Sequence, residues 1–347
     1  MKQFFTKILK SAPGVALSLL IAALATFIES ILPIHVIGAA VMAMFIGMLL
    51  NHLIKNKAPL APGVKFTSKK LLKFAIILLG LSLNITTILK VGRMSLLVMV
   101  FTLATCFGGG YLVGKALGLN WKTSNLISAG TGICGGSAIA AIAPTIEAED
   151  TDVAYAMSAT FLFDMAMIIL FPLMGKALGM SDEAFGLWAG TAVNDTSSVV
   201  ATGYAFSEAA GDFATMVKLT RTLAIIPTVL TFALIQMHIK RKEAAAANAD
   251  SAEIKANFSL KKIFPYFILG FLAMATLASI FPIPAAVVSV TKKISKFLMV
   301  AALAAIGMNT SFGHLRKTGA RPMLHGFIVS VLVVVVALAV EMLMGLV

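Results

Sequence analysis

Charge is what this sequence has least of. Only 12% of its 347 residues are Asp, Glu, Lys or Arg, about half the roughly 25% usual in soluble domains. That scarcity excludes an ordinary water-soluble fold. Acids are the scarcer sign, 15 against 28 Lys and Arg, for a net charge of +13. In a soluble protein this excess would suggest nucleic acid. Here the basic residues fall mostly in short loops between apolar runs, where they report orientation, so no nucleic-acid partner is expected. Cysteine is nearly absent. Cys106 and Cys134 both lie inside apolar runs and no CxxC occurs, which excludes a disulfide framework and a cysteine metal site. The motif Gly-x-x-x-x-Gly-Lys-Ser/Thr is missing, and with it a P-loop nucleotide-driven pump.

What is present is apolar. Hydrophobic residues make up 59% of the chain and mean hydropathy is +0.96. Repeated apolar runs of about 20 residues identify an all-α polytopic membrane protein. Eleven helices are expected, over about 12–31, 34–54, 70–89, 94–118, 122–144, 152–178, 183–206, 213–239, 263–281, 292–312 and 322–346. A basic stretch from Met1 to Lys10 precedes the first. It invites a signal-peptide reading with a cleavage site at Ala23-Leu24-Ala25, but the apolar run is long and many spans follow, so a first transmembrane helix is expected.

Basic loops alternate along the chain. Lys2, Lys7 and Lys10, the cluster Lys55 to Lys70, Lys115 with Lys122, Lys240 to Lys262, and Arg316 to Arg321 all fall on one side of an eleven-span plan. Glu29, the group Glu147, Glu149, Asp150 and Asp152, and Glu208 with Asp212 fall on the other. Lys90, Arg93, Lys292 and Lys293 are exceptions. The positive-inside rule then places the N-terminus in the cytoplasm and the C-terminus outside. An odd number of spans suggests one extra helix (1–32) followed by two inverted five-helix halves, 33–180 and 181–347, with a cytoplasmic linker at about 240–262. On that plan the fifth span has its counterpart in the tenth, where Ala304 to Gly313 is another small, polar interruption. The two would form crossed discontinuous helices.

Three motifs stand out. The first runs from Ser128 to Pro144 and is nearly all glycine, small and hydroxyl residues at membrane depth. Gly130-Thr-Gly132-Ile-Cys-Gly135 is literally GxGxxG, but a dinucleotide site needs a strand before it and a βαβ unit around it. Small residues for close helix packing are one explanation. An unwound helix that exposes backbone groups to a wet cavity is the sharper one. Gly135-Gly136-Ser137 also invites an intramembrane serine hydrolase, yet that chemistry needs a base within reach. All five histidines lie near expected helix ends, so no enzyme is expected. The second motif, Asn194-Asp195-Thr196-Ser197-Ser198, puts five polar residues mid-membrane, which reads as a polar packing seam or as a wall of a substrate path. The third is Lys218 with Arg221, three apart on one helix face. Lys218 could snorkel to an interface. Arg221 needs a partner, either Asp195 or an oxyanion suited to its fork of donors. Asp164, in the sixth span, could carry a proton or Na⁺, or bond a nearby Ser158 or Thr160.

The run Ala129 to Pro144 followed by Glu147-Ala-Glu149 resembles the signature of the YeiH-type family of proposed sulfate exporters, bacterial inner-membrane proteins. Ala189 to Gly203 resembles the family's second polar motif, and Lys218-Leu-Thr-Arg221 followed by Pro227 resembles a third. The likeness runs over nearly the whole chain. Asn194-Asp195 departs from it, standing where a His-Glu pair is usual. The resemblance implies a secondary transporter similar to the cation:proton antiporters and anion transporters, with a core of two crossed broken helices moving against a panel.

These readings converge on alternating-access transport of a small anion, sulfate or sulfite first, across the bacterial inner membrane. Thr131, Gly132, Cys134, Gly135, Gly136 and Ser137 would form one wall. Asn194, Thr196 and Ser197 would add to it, and Asn309, Thr310 and Ser311, beside Gly307, would form the other. Arg221 and Lys218 would hold the anion, and Asp195 or Asp164 the coupling H⁺ or Na⁺. No cofactor or metal is expected, and a homo-oligomer is compatible with the plan. A cation antiporter of the same architecture is the main alternative.

Overall fold

The computed structural model describes residues 2–31, 39–54, 56–246, 266–309 and 319–347. Every regular element among them is helical. Five are long and apolar enough to cross a membrane: Lys10–Ile31, Ile85–Ala116, Thr151–Ala177, Glu208–Lys240 and Ala320–Leu343. The all-helical, polytopic reading of the sequence therefore stands.

The path of the chain through the membrane differs from that reading in two places. Helix α5 (Trp121–Gly132) stops at Ile133, and α6 (Gly136–Ile142) follows after a tight turn at Gly135, φ +62°. Gly supplies that positive φ without a Cβ clash. The return arm then runs back beside the first. A Cβ on Gly130 would lie 2.8 Å from Ile139 Cδ1. Lys122 Nζ donates to the Glu147 carbonyl at 2.7 Å, and Asn120 Nδ2 to Asp152 Oδ1 at 2.9 Å. Both ends of the segment thus meet at one end of the bundle. Twelve residues of α-helix reach only about 18 Å, against a hydrocarbon core of about 30 Å. This is a half-depth hairpin, not a crossing.

A second hairpin enters from the opposite end. Helix α8 (Asp182–Ala192), capped by Ser181, leads to a turn at Val193–Asp195, and α9 (Thr196–Phe206) returns. Ser207 Oγ donates to Asp182 Oδ1 at 2.6 Å, and the rings of Phe185 and Phe206 stack with centroids 4.0 Å apart. Its two arms open at the same end. Helix α7 (Asp150–Ala177) lies between the hairpins in sequence and carries the chain from one end to the other. Two of the eleven expected crossings, both within the described residues, are therefore returns.

One consequence is a correction of charge sorting. Glu147 pairs with Lys240, and Asp152 bonds Asn120 and Thr123. These acids share an end with the basic loops. Another concerns the expected partner of the first break. Helix α13 (Ala285–Asn309) is unbroken through Gly307 and Asn309; Thr310 and Ser311 lie outside the described residues. Its small residues serve close packing instead. Gly307 and Gly47 face each other where α13 crosses α2 (Ala39–Leu53), each against the other helix's backbone. An added Cβ has no room there.

Two packed groups result. Helices α1 (Lys2–Ile31) and α2, the segment 61–82, α12 (Tyr266–Ile280) and α13 contact one another. The hairpins, α7, α10 (Glu208–Thr222) and α14 (Ala320–Leu343) form the other, with 85–116 alongside. Glycines set the spacing of α10 against the second hairpin: a Cβ on Gly190 would lie 2.6 Å from Val217, and one on Gly203 2.8 Å from Gly211 Cα.

Candidate functional site

The two hairpin tips meet inside the bundle. A Cβ on Gly135 would lie 3.0 Å from both Cβ and Oδ1 of Asp195, so glycine is required by contact as well as by φ. Turning a helix back inside a membrane leaves backbone groups without helical partners, and water is not there to satisfy them. The sequence answers with charges.

Carbonyls at the ends of α5 and α8 receive cations from α10. Arg221 Nε donates to the Gly132 carbonyl at 2.7 Å, Nη1 to Val193 at 3.1 Å, and Nη2 to Thr131. Lys218 Nζ donates to Ile133 at 2.7 Å and Val193 at 3.0 Å. Both side chains are fully buried. Each cation lies at the negative end of a helix dipole, where positive charge is favoured. Charge-assisted bonds contribute about 1.5–3 kcal/mol each. That offsets a desolvation cost of several kcal/mol per ion.

Amides of the second tip receive an anion from α7. Asp164 Oδ1 accepts from Asn194 N at 2.9 Å and Oδ2 from Asp195 N at 2.8 Å. Asp195 in turn caps α9, accepting from Ser197 N at 2.9 Å and from Ser197 Oγ. Asn194 Nδ2 reaches the Thr160 carbonyl at 3.4 Å. Two cations and two carboxylates thus surround the tips. No ion pair within 4 Å joins Arg221 to either carboxylate among the described residues; its partners are backbone carbonyls. Asp164 likewise bonds tip amides rather than Ser158 or Thr160.

Exposure divides the candidate residues. Thr131, Gly132, Cys134, Gly135, Asn194, Ser197, Lys218, Arg221 and Asp164 are buried. Gly136, Asp195 and Thr196 are half-buried, and Ser137 is exposed. The accessible positions at the tips are therefore Gly136 and Ser137 on the first and Asp195 and Thr196 on the second. Among the described residues, Thr131 Oγ1 and Asn194 Oδ1, one from each tip, are buried without a hydrogen-bond partner. Asn309 is far from this arrangement in the fold; it bonds Ser68 Oγ at 3.2 Å near the other packed group. Sequence reasoning missed the backbone carbonyls of Ile133 and Val193 as the targets of Lys218 and Arg221. The three-residue spacing of the two cations was the available signal.

The family model described as "Conserved hypothetical protein 698" matches residues 13–326. The chain belongs to this family. Related proteins span it almost end to end. One from Clostridium tetani, named "UPF0324 membrane protein", is 53% identical over 97% of this chain and 98% of its own length. A Streptococcus pyogenes protein of the same kind is 43% identical over 97% and 98%, and one from Fusobacterium nucleatum 38% over 96% and 98%. The membership agrees with the YeiH-type resemblance.

Proposed function

We propose that this membrane protein is a secondary transporter whose substrate crosses at the meeting point of the two hairpin tips. The observation that carries the reading is their arrangement. Two half-depth hairpins enter from opposite ends, and their polar tips touch at Gly135 and Asp195. Irregular backbone at membrane depth is tolerated where it is buried in protein or lines a wet cavity. Discontinuous helices at the midplane are the binding sites of many transporters.

Roles follow from exposure. Ser137, Gly136, Thr196 and Asp195 face the path and contact the substrate. Lys218, Arg221 and Asp164 hold the tips open as turns and set the field there. Arg221 uses three of its five N–H donors on carbonyls and Lys218 two of its three, so each retains donors for the site. Asp195, the more accessible carboxylate, carries the coupling H⁺ or Na⁺. The substrate is a small anion, with sulfate or sulfite first on the family resemblance. The N-terminus lies in the cytoplasm, and the hairpin carrying Lys122 enters from that side. Ser137 has no general base in hydrogen-bond contact among the described residues, which supports transport over hydrolysis.

One observation favours a second reading. Both buried cations are engaged with backbone carbonyls, as structural counter-charges in a cation antiporter would be. Counterflow in proteoliposomes separates the two. Sulfate, sulfite, thiosulfate and small carboxylates are screened with and without Na⁺ and a pH gradient. The proposal expects saturable exchange of sulfate or sulfite. Cation-driven proton flux with no anion exchange would select the antiporter.

A further inference from the structure

At the end of the bundle where the second hairpin opens, one ion network joins the two packed groups. Lys292, on α13, places Nζ 2.8 Å from Asp212 Oδ2 and 3.0 Å from Glu208 Oε1, both on α10. Lys296, one turn further along α13, reaches Glu208 Oε2 at 3.6 Å. Its Nζ also lies 5.8 Å from the centroid of the Tyr204 ring on α9. Tyr204 Oη donates to Asp212 Oδ1 at 2.6 Å. The pieces therefore come from α9, α10 and α13. Tyr204 and Lys296 also line a small cavity with Val200 of α9, Met299 and Val300 of α13, and Glu29 of α1.

Three features make this more than a surface decoration. Lys292 is one of the basic residues that break the charge rule, since it lies at the acid-bearing end. Asp212 is nearly buried, its side chain 11% exposed, so its pair with Lys292 is less screened than an ordinary surface bridge. The network also spans a seam. Helix α13 belongs to the group that includes α2, and α9 and α10 to the group that includes the tips. Elsewhere α13 packs mainly on its own group.

We infer that Lys292 and Lys296 with Glu208, Asp212 and Tyr204 form a releasable latch that closes the outer mouth of the path. This rests on the alternating-access reading above. With the latch formed, the accessible face at Ser137 is shut off from the outer side. Breaking it lets the two groups separate there and exposes the tips to outside water.

The test reads access rather than transport. Ser137→Cys is introduced, and a membrane-impermeant thiol reagent is applied from the outer side of intact cells. The native Cys106 and Cys134 are both buried. The latch predicts slow labelling in this background, at least fivefold faster labelling when Lys292→Ala and Lys296→Ala are added, and slow labelling again when Lys292→Arg and Lys296→Arg are added instead, since arginine keeps both charges facing Glu208 and Asp212. Size-exclusion elution in detergent serves as the folding control for each variant. A second arm uses Val200→Cys with Met299→Cys, whose disulfide should form readily with the latch intact and several-fold more slowly without it. Unchanged labelling and unchanged cross-linking in the alanine variants would overturn the latch. Labelling that responds as predicted, with no counterflow by the protein that retains Ser137, would leave the latch standing and overturn the transport reading instead.

Discussion

At the scale of single residues, the tips are held by charge against backbone rather than by charge against charge. Arg221 illustrates it. Its planar fork satisfies three carbonyls drawn from both hairpins, one more than Lys218 reaches. Arg221→Ala leaves those carbonyls unpaired in the membrane interior and should cost about 3–5 kcal/mol of stability, seen as a large drop in the melting temperature of the detergent-solubilised protein. Arg221→Lys should restore part of it. Thr196→Ala and Ser137→Ala are different in kind. Neither side chain holds a tip together, so their stability should stay within about 0.5 kcal/mol while transport falls at least tenfold. Equal losses of stability in both sets would remove the distinction between holding and path-facing residues.

At the scale of elements, the decisive feature is that both interrupted segments turn back. Their positions were legible in the sequence, because Ser128 to Pro144 and Asn194 to Ser198 are too polar and too small for lipid. Their direction was not. A broken helix that continues and one that returns have the same composition, and the acids Glu147 to Asp152 look like an outer loop by charge alone. The structure pairs the Glu147 carboxylate with Lys240 and its backbone carbonyl with Lys122, so this acid sits with basic groups of one end. A run of cap residues, Asn120, Ser181 and Asp195, was the signal that short arms begin at each of those points. The tenth segment misled for the converse reason. Its glycine and alanines look like a break but fill a close crossing with α2, which needs small residues without any loss of helix. Two outcomes follow. A cysteine replacing Glu147 should be labelled from the same side of the membrane as one replacing Lys240; labelling from opposite sides would restore the crossing helix. Gly135→Ala puts a Cβ at φ +62° against Asp195 and should destabilise by about 1–3 kcal/mol with transport lost.

At the scale of the whole molecule, two packed groups meet along a seam where α9 touches α2 and α13 and an ion network joins α10 to α13. Membership of the family, the membrane setting and the all-helical plan came through from composition and motif alone. The seam did not, since it depends on which helices pack together, and apolar periodicity does not encode that. The central claim is that the accessible face at the tips is the substrate's path. The most direct measurement is sulfate and sulfite counterflow in proteoliposomes made with the Ser137→Cys protein, before and after complete modification by a bulky thiol reagent. The account predicts counterflow that is slower than with Ser137 but still saturable, that modification abolishes and that substrate present during labelling protects. Counterflow that persists unchanged after full modification of Ser137→Cys would contradict it.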